Sequence, residues 1–134
     1  MLTIHDYKDR LNLAFRAMRK AGLVARQNFS CCGTCASYEI RCGIDDMPPP
    51  RQSKVLGIAF YHRQDAAHMN QRDFDGMYLS FGEGGLPSVE VGHLVLSCLR
   101  QAGIAAEWDG DVTRRVFAAF ASTEDEGSLL SNNL

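Results

Sequence analysis

Two short runs, Arg19-Lys20-Ala21-Gly22-Leu23 and Arg100-Gln101-Ala102-Gly103-Ile104, constrain this chain more than any other feature. In each, a basic residue is followed by glycine and then by a large apolar residue. A cation in the last turn suits the negative end of a helix, and glycine takes the left-handed conformation that closes it. Each run therefore stops a helix and starts a strand. The helix before the first run spans 4–21, with Ile4, Tyr7, Leu11, Ala14, Phe15 and Met18 at spacings of three and four. Thr3 and Asp6 mark its start. The helix before the second run begins at Ser88, read as its cap, and turns Val91, Leu94, Val95, Cys98 and Leu99 inward. The likeness of the runs is that of two ordinary glycine endings; a duplicated helix–strand unit is the alternative.

Between these anchors the pattern alternates. Leu23 to Phe29 reads as a strand, Cys32 to Arg41 as a short helix, and Gly43 to Ser53, with Pro48-Pro49-Pro50, as an exposed loop where helix cannot continue. Val55 to Tyr61 is an apolar, interior strand. Asp65 to Arg72 reads as a helical turn, Met77 to Phe81 as a strand and Gly82 to Pro87 as a turn. Ala105 to Trp108 and Arg115 to Phe120 flank the turn Asp109-Gly110-Asp111 as a hairpin. The order α-β-α-β-α-β-α-β-β predicts an α/β (mixed α+β) fold: one mixed sheet of about five strands with helices packed on it. The domain is expected over 1–121, with an acidic, then Ser/Asn-rich tail over 122–134.

The chain has 134 residues, enough for one core, and a formal charge of −2, too little basic character for a nucleic-acid partner. No run approaches the roughly 18 apolar residues of a membrane span. Met1 to Arg10 lacks the apolar core of a signal peptide, so a cytoplasmic location with reduced thiols is expected.

Five cysteines under those conditions do not read as a disulfide framework, and three of them crowd into Cys31-Cys32-Gly33-Thr34-Cys35. Cys32-x-x-Cys35 has the spacing of half a zinc site, with Cys31, Cys42, His62 or His68 to complete it; Cys31, Cys32, Cys35 and His62 form the favoured ligand set. The same pair, after a strand and before a helix, is placed for redox chemistry, since a helix start lowers a thiol pKa. The element order and the lack of proline between Arg51 and Leu86 argue against a thioredoxin-like fold. A third reading makes one of these cysteines a nucleophile, with His62 as base oriented by Asp65. The bland reading is burial as small apolar side chains, expected for Cys98 and Cys42.

Tyr61-His62-Arg63-Gln64-Asp65 stands at the carboxyl end of a strand, where open α/β sheets bind ligands. Alternatively, Asp65 caps the following helix. His68 and His93 read as surface residues, and His5, in the first turn, carries no signal. Gly82-Glu83-Gly84-Gly85 lacks the Lys-Ser/Thr of a phosphate loop, and Glu83 would repel an anion. Trp108 with Asp109 is either core or an anchor for a protein partner.

Asn28-Phe29-Ser30-Cys31-Cys32-Gly33-Thr34-Cys35, with Phe60-Tyr61-His62-Arg63-Gln64-Asp65, Tyr78-Leu79-Ser80-Phe81-Gly82 and Glu107-Trp108-Asp109-Gly110, resembles a group of small bacterial proteins of unknown function. The resemblance covers most of 11–120 and implies a bacterial cytoplasmic protein, with no activity attached. The expectation is a non-enzymatic binding module whose partner is another protein, of the kind that neutralises a toxin, with a structural cysteine or zinc cluster. The alternative is a cysteine-based enzyme or a redox or metal sensor using Cys32, Cys35 and the pair His62–Asp65.

Overall fold

A computed structural model of the protein describes residues 2–123. The elements follow the expected order: α1 (Ile4–Lys20), β1 (Leu23–Arg26), α2 (Gly33–Asp45), a one-turn α3 (Pro49–Gln52), β2 (Gly57–Phe60), α4 (Arg63–Ala67), β3 (Gly76–Glu83), α5 (Ser88–Gln101), β4 (Ile104–Glu107) and β5 (Val116–Ser122). A 3₁₀ turn, His68–Asn70, follows α4.

Both glycine endings form as expected. Gly22 has φ +109° and Gly103 φ +91°, so each helix reverses directly into a strand. The arginine of each last turn then folds back onto its own strand. Arg19 donates to the Ala25 carbonyl at 3.2 Å, and Arg100 donates to the Ala106 carbonyl from two nitrogens at 3.1 and 2.8 Å. In both units the bond spans six residues. The two units are therefore alike in contacts as well as in sequence.

The strands form one five-stranded sheet in the order β1-β2-β3-β5-β4. Only β1 and β2 are parallel; the other neighbours are antiparallel, and β4 and β5 make the expected hairpin at one edge. α1 and α5 lie together on one face. Tyr7, Leu11, Phe15 and Met18 meet Val91, Val95 and Leu99 there, over Ala25, Leu79, Ala106 and Ala118 of the strands. α2 covers the other face only at the β1–β2 end, where Ala36, Ile40 and Ile44 pack on Ile58 and Phe60. This makes β2 buried along its whole length, as its unbroken apolar run requires. Beyond α2, the second face carries Tyr78, 49% exposed, with Phe117 beside it and the Arg115 guanidinium 5.1 Å above the Tyr78 ring.

Several boundaries differ from the sequence reading. The stretch 43–53 is not a loop throughout. α2 runs on to Asp45, and Pro49 and Pro50 open the single turn of α3, where a missing N–H costs nothing. β1 stops at Arg26. Gly82 belongs to β3, not to a turn. Ser88 is the first residue of α5 rather than its cap; Pro87 holds the cap position and offers no side-chain bond. β5 reaches Ser122, one residue into the expected tail, and the rest of that tail, 124–134, lies outside the described residues. Among the described residues, no helix is long and apolar enough to cross a membrane.

α5 approaches the hairpin closely because Gly92 lacks a side chain: a Cβ there would collide with the Trp108 ring. Gly92→Ala is therefore expected to lower stability by about 1–3 kcal/mol, the usual range for overpacking a tight core. Urea unfolding followed by the fluorescence of the single tryptophan reads this directly. An unchanged midpoint and spectrum would contradict the packing described.

Candidate functional site

The cysteine segment is set by the turn that leaves β1. Asn28 and Ser30 both take positive φ, +49° and +66°. Asparagine visits this region more readily than most residues; serine does so at a cost that its surroundings must offset. Two backbone bonds hold the turn against the chain leaving β2: Phe29 N–H donates to the Tyr61 carbonyl at 3.0 Å, and Arg63 N–H to the Ser30 carbonyl at 3.1 Å. The turn delivers Cys31 to the surface and Cys32 to the N-cap position of α2, in extended conformation. Cys35 follows one turn into the helix and is exposed, while Cys32 is half-buried.

The result is a cluster in which the sulfurs of Cys31, Cys32 and Cys35 all lie within 4.8 Å of one another. Cys31 and Cys32 are 3.9 Å apart. Four thiolates about 2.3 Å from a zinc ion stand about 3.8 Å from each other, so this pair already has the separation of two zinc ligands. The thiols are electrostatically unequal. The Cys35 amide, with the thiols of Cys35 and Cys31 and the Thr34 amide, holds Cys32 below the ordinary thiol value. Cys35 is pushed up to about 11, first because hydrogen bonds with the thiols of Cys31 and Cys32 favour its protonated form, and then because a thiolate there would face their charge.

His62 stands next to this cluster. Its Cδ2 and Nε2 are the nearest atoms to a Cβ built on Gly33, at 3.9 and 4.0 Å. The ring itself is turned to Asp65. Nε2 lies 3.2 Å from Asp65 Oδ2, and Nδ1 accepts the Asp65 backbone N–H at 3.4 Å. Asp65 Oδ2 in turn accepts the His62 backbone N–H at 3.2 Å, which completes a capping box at the start of α4. The cap position thus belongs to His62, with Asp65 as its reciprocal partner. Both side chains are buried, and the second Asp65 oxygen faces Arg115 at 3.4 Å. Arg115 carried no signal in the sequence beyond its charge, because only the sheet order brings the start of β5 to α4.

The remaining candidates lie apart from this cluster. Cys98 is buried in the core of α5, where burial raises its thiol pKa. Cys42, expected in the core, is only half-buried, since it lies off the Ala36–Ile40–Ile44 stripe of α2. His68, His5 and His93 are exposed. Trp108 is half-buried against Phe81 and His93, and its indole N–H is shared by the carbonyls of Asp111 and Arg114, both at 3.0 Å. Asp109 accepts the Asp111 N–H at 2.9 Å, so these two residues organise the hairpin connection.

The unequal thiols set an order of reaction. Alkylation with iodoacetamide, followed residue by residue by mass spectrometry as pH rises, is expected to modify Cys32 at lower pH than Cys35. The lowered pKa gives Cys32 its thiolate first, and the raised one delays Cys35 beyond the ordinary range. Equal rates across the pH series would contradict the electrostatics. No curated protein and no solved structure matches the chain. Residues 4–121 match a domain of unknown function, DUF6891, and the chain belongs to that family.

Proposed function

We propose that the domain is a non-enzymatic binding module with a thiolate metal site, in which Cys31, Cys32 and Cys35 are ligands to zinc. The observation that carries this reading is the mutual approach of three sulfurs within 4.8 Å at the first turn of α2. Three features support it. The helix start favours thiolates. The turn 28–30 accepts left-handed backbone at two residues to bring Cys31 and Cys32 to that helix start. The Cys31–Cys32 spacing needs almost no change to fit a tetrahedral ion. His62, expected as a fourth ligand, has both ring nitrogens within reach of Asp65, so we assign the fourth position to a group from outside these residues. A cytoplasmic setting keeps such thiols reduced and free to bind. The partner of the module is a protein, with toxin neutralisation as the narrow form of that reading; its support is Tyr78, 49% exposed on a part of the sheet that no helix among the described residues covers.

A second reading has its own observation. Cys32 lowered and Cys35 raised is the asymmetry of an attacking thiol and its partner in thiol–disulfide exchange.

Protein purified without chelator or metal-affinity tag is expected to carry one zinc per chain. Cobalt substitution should give the intense sulfur-to-metal absorption of thiolate ligation. Cys31→Ser, Cys32→Ser and Cys35→Ser should each weaken metal binding at least tenfold, about 1.4 kcal/mol or more, while Cys42→Ser and His62→Ala keep it. Metal-free protein that gains no such absorption would end the metal reading. Fast oxidation of Cys32 and Cys35 to a disulfide in that protein would establish the exchange reading instead.

A further inference from the structure

Beside Tyr61 lies a cleft of about 550 Å³, the size of a small-metabolite site. It opens beyond the carboxyl ends of β1 and β2, the one parallel pair, with Gln27 following β1 and Tyr61 following β2. Ligands collect at this end of parallel strands because loops diverge there and leave backbone and side-chain groups free to converge. Its polar wall is already organised. The buried Tyr61 hydroxyl donates to Gln27 Oε1 at 3.1 Å, and Gln27 Nε2 donates to Asn12 Oδ1 at 3.0 Å. Burial pushes the Tyr61 hydroxyl up to about 12, so it stays a neutral donor and adds no negative charge.

The charge of the lining is one-sided. Lys8 and Arg63 both line the cleft, and no carboxylate does so among the described residues. Neither cation has an ion-pair partner among the described residues, whereas Arg114 has two and Arg115 has one. Arg63 is tied at its backbone, where its N–H donates to the Ser30 carbonyl at 3.1 Å, and it lines the cleft. Asn28, held at positive φ, adds an amide to the same wall. Two cations without ion-pair partners among the described residues, an oriented amide chain and no acid in the lining make a surface for a ligand that carries both an oxyanion and hydrogen-bonding groups.

We propose that this cleft binds a small oxyanion-bearing polar metabolite, its phosphate or carboxylate group held by Lys8 and Arg63 and its polar body by Gln27, Asn28 and Asn12. The site is separate from the cysteine sulfurs and holds whether or not they bind metal.

The test is an NMR titration of the full-length, isotope-labelled chain with inorganic phosphate and, separately, with citrate, at matched ionic strength. Saturable shifts confined to the amides of Gln27, Asn28, Tyr61 and Arg63 are expected with at least one probe. Response to phosphate alone identifies a phosphate-bearing ligand, response to citrate alone a polycarboxylate, and response to both a general oxyanion site. Arg63→Gln and Lys8→Gln should each weaken binding about tenfold or more, as loss of a charge-assisted bond does. Arg63→Lys should recover part of it, and Arg51→Gln on the exposed α3 should leave it unchanged. Retention of the parent spectrum shows that each variant is folded. Absence of shifts with both probes, or equal weakening by Arg51→Gln, would overturn the proposal.

Discussion

The fold depends on two backbone reversals. At Gly22 and at Gly103 the chain passes from helix to strand through a conformation that a side chain disfavours, and in each case an arginine from the helix end bonds the strand just begun. These reversals set α1 against β1 and α5 against β4, at the two edges of the sheet. Because both helices return on the same face, their apolar stripes meet each other as well as the strands. One continuous core follows, with Phe15, Leu11, Val95 and Leu99 fully enclosed. The glycine carbonyls are used again: Gly22 accepts Leu56 N–H at 2.9 Å and Gly103 accepts Thr123 N–H at 3.1 Å, which fixes the chain running beside each edge strand.

With one face committed to that core, the other is covered unevenly. The crossover from β1 to the parallel β2 must pass over the sheet, and α2 does so on the free face. Its first residue therefore starts close to where β1 ends. That short exit, 27–32, is the reason the site exists where it does. It is tied to the chain after β2 by two backbone bonds, it bends through left-handed conformations at Asn28 and Ser30, and it ends on the cysteines. The first residues of this exit, Gln27 and Asn28, line the cleft beside Tyr61, and its last, Cys31 and Cys32, belong to the thiol cluster.

The helices and the order of elements were legible because long amphipathic patterns and glycine endings are local signals. The boundaries that escaped were decided by less visible choices. Three prolines suggested an interruption; the structure instead uses Pro49 and Pro50 in the first turn of α3, where φ is already suitable. Ser88 has the chemistry of a cap, yet Pro87 occupies that position. The convergence of Cys31, Cys32 and Cys35 could be expected from their spacing. The nearness of His62 to Gly33 was open, because it depends on the register of β1 against β2, and the pairing of Asp65 with Arg115 depends on β5 lying next to β3. Non-local pairings of this kind leave no trace in residue spacing.

The sheet's dimensions have a further consequence for how this domain behaves in a crowded solution. Its long strands, β3 with eight residues and β5 with seven, are flanked on both sides, and among the described residues the two borders are β1 and β4, with four residues each. β4 is also irregular against β5, where the register shifts between Ile104 and Ala106. A border that is brief and locally distorted offers few consecutive unpaired amides to another chain. The arrangement keeps the extended, apolar strands that a growing fibril would recruit inside the sheet, so the domain can present exposed thiols and an exposed tyrosine face without also presenting a template for β-aggregation.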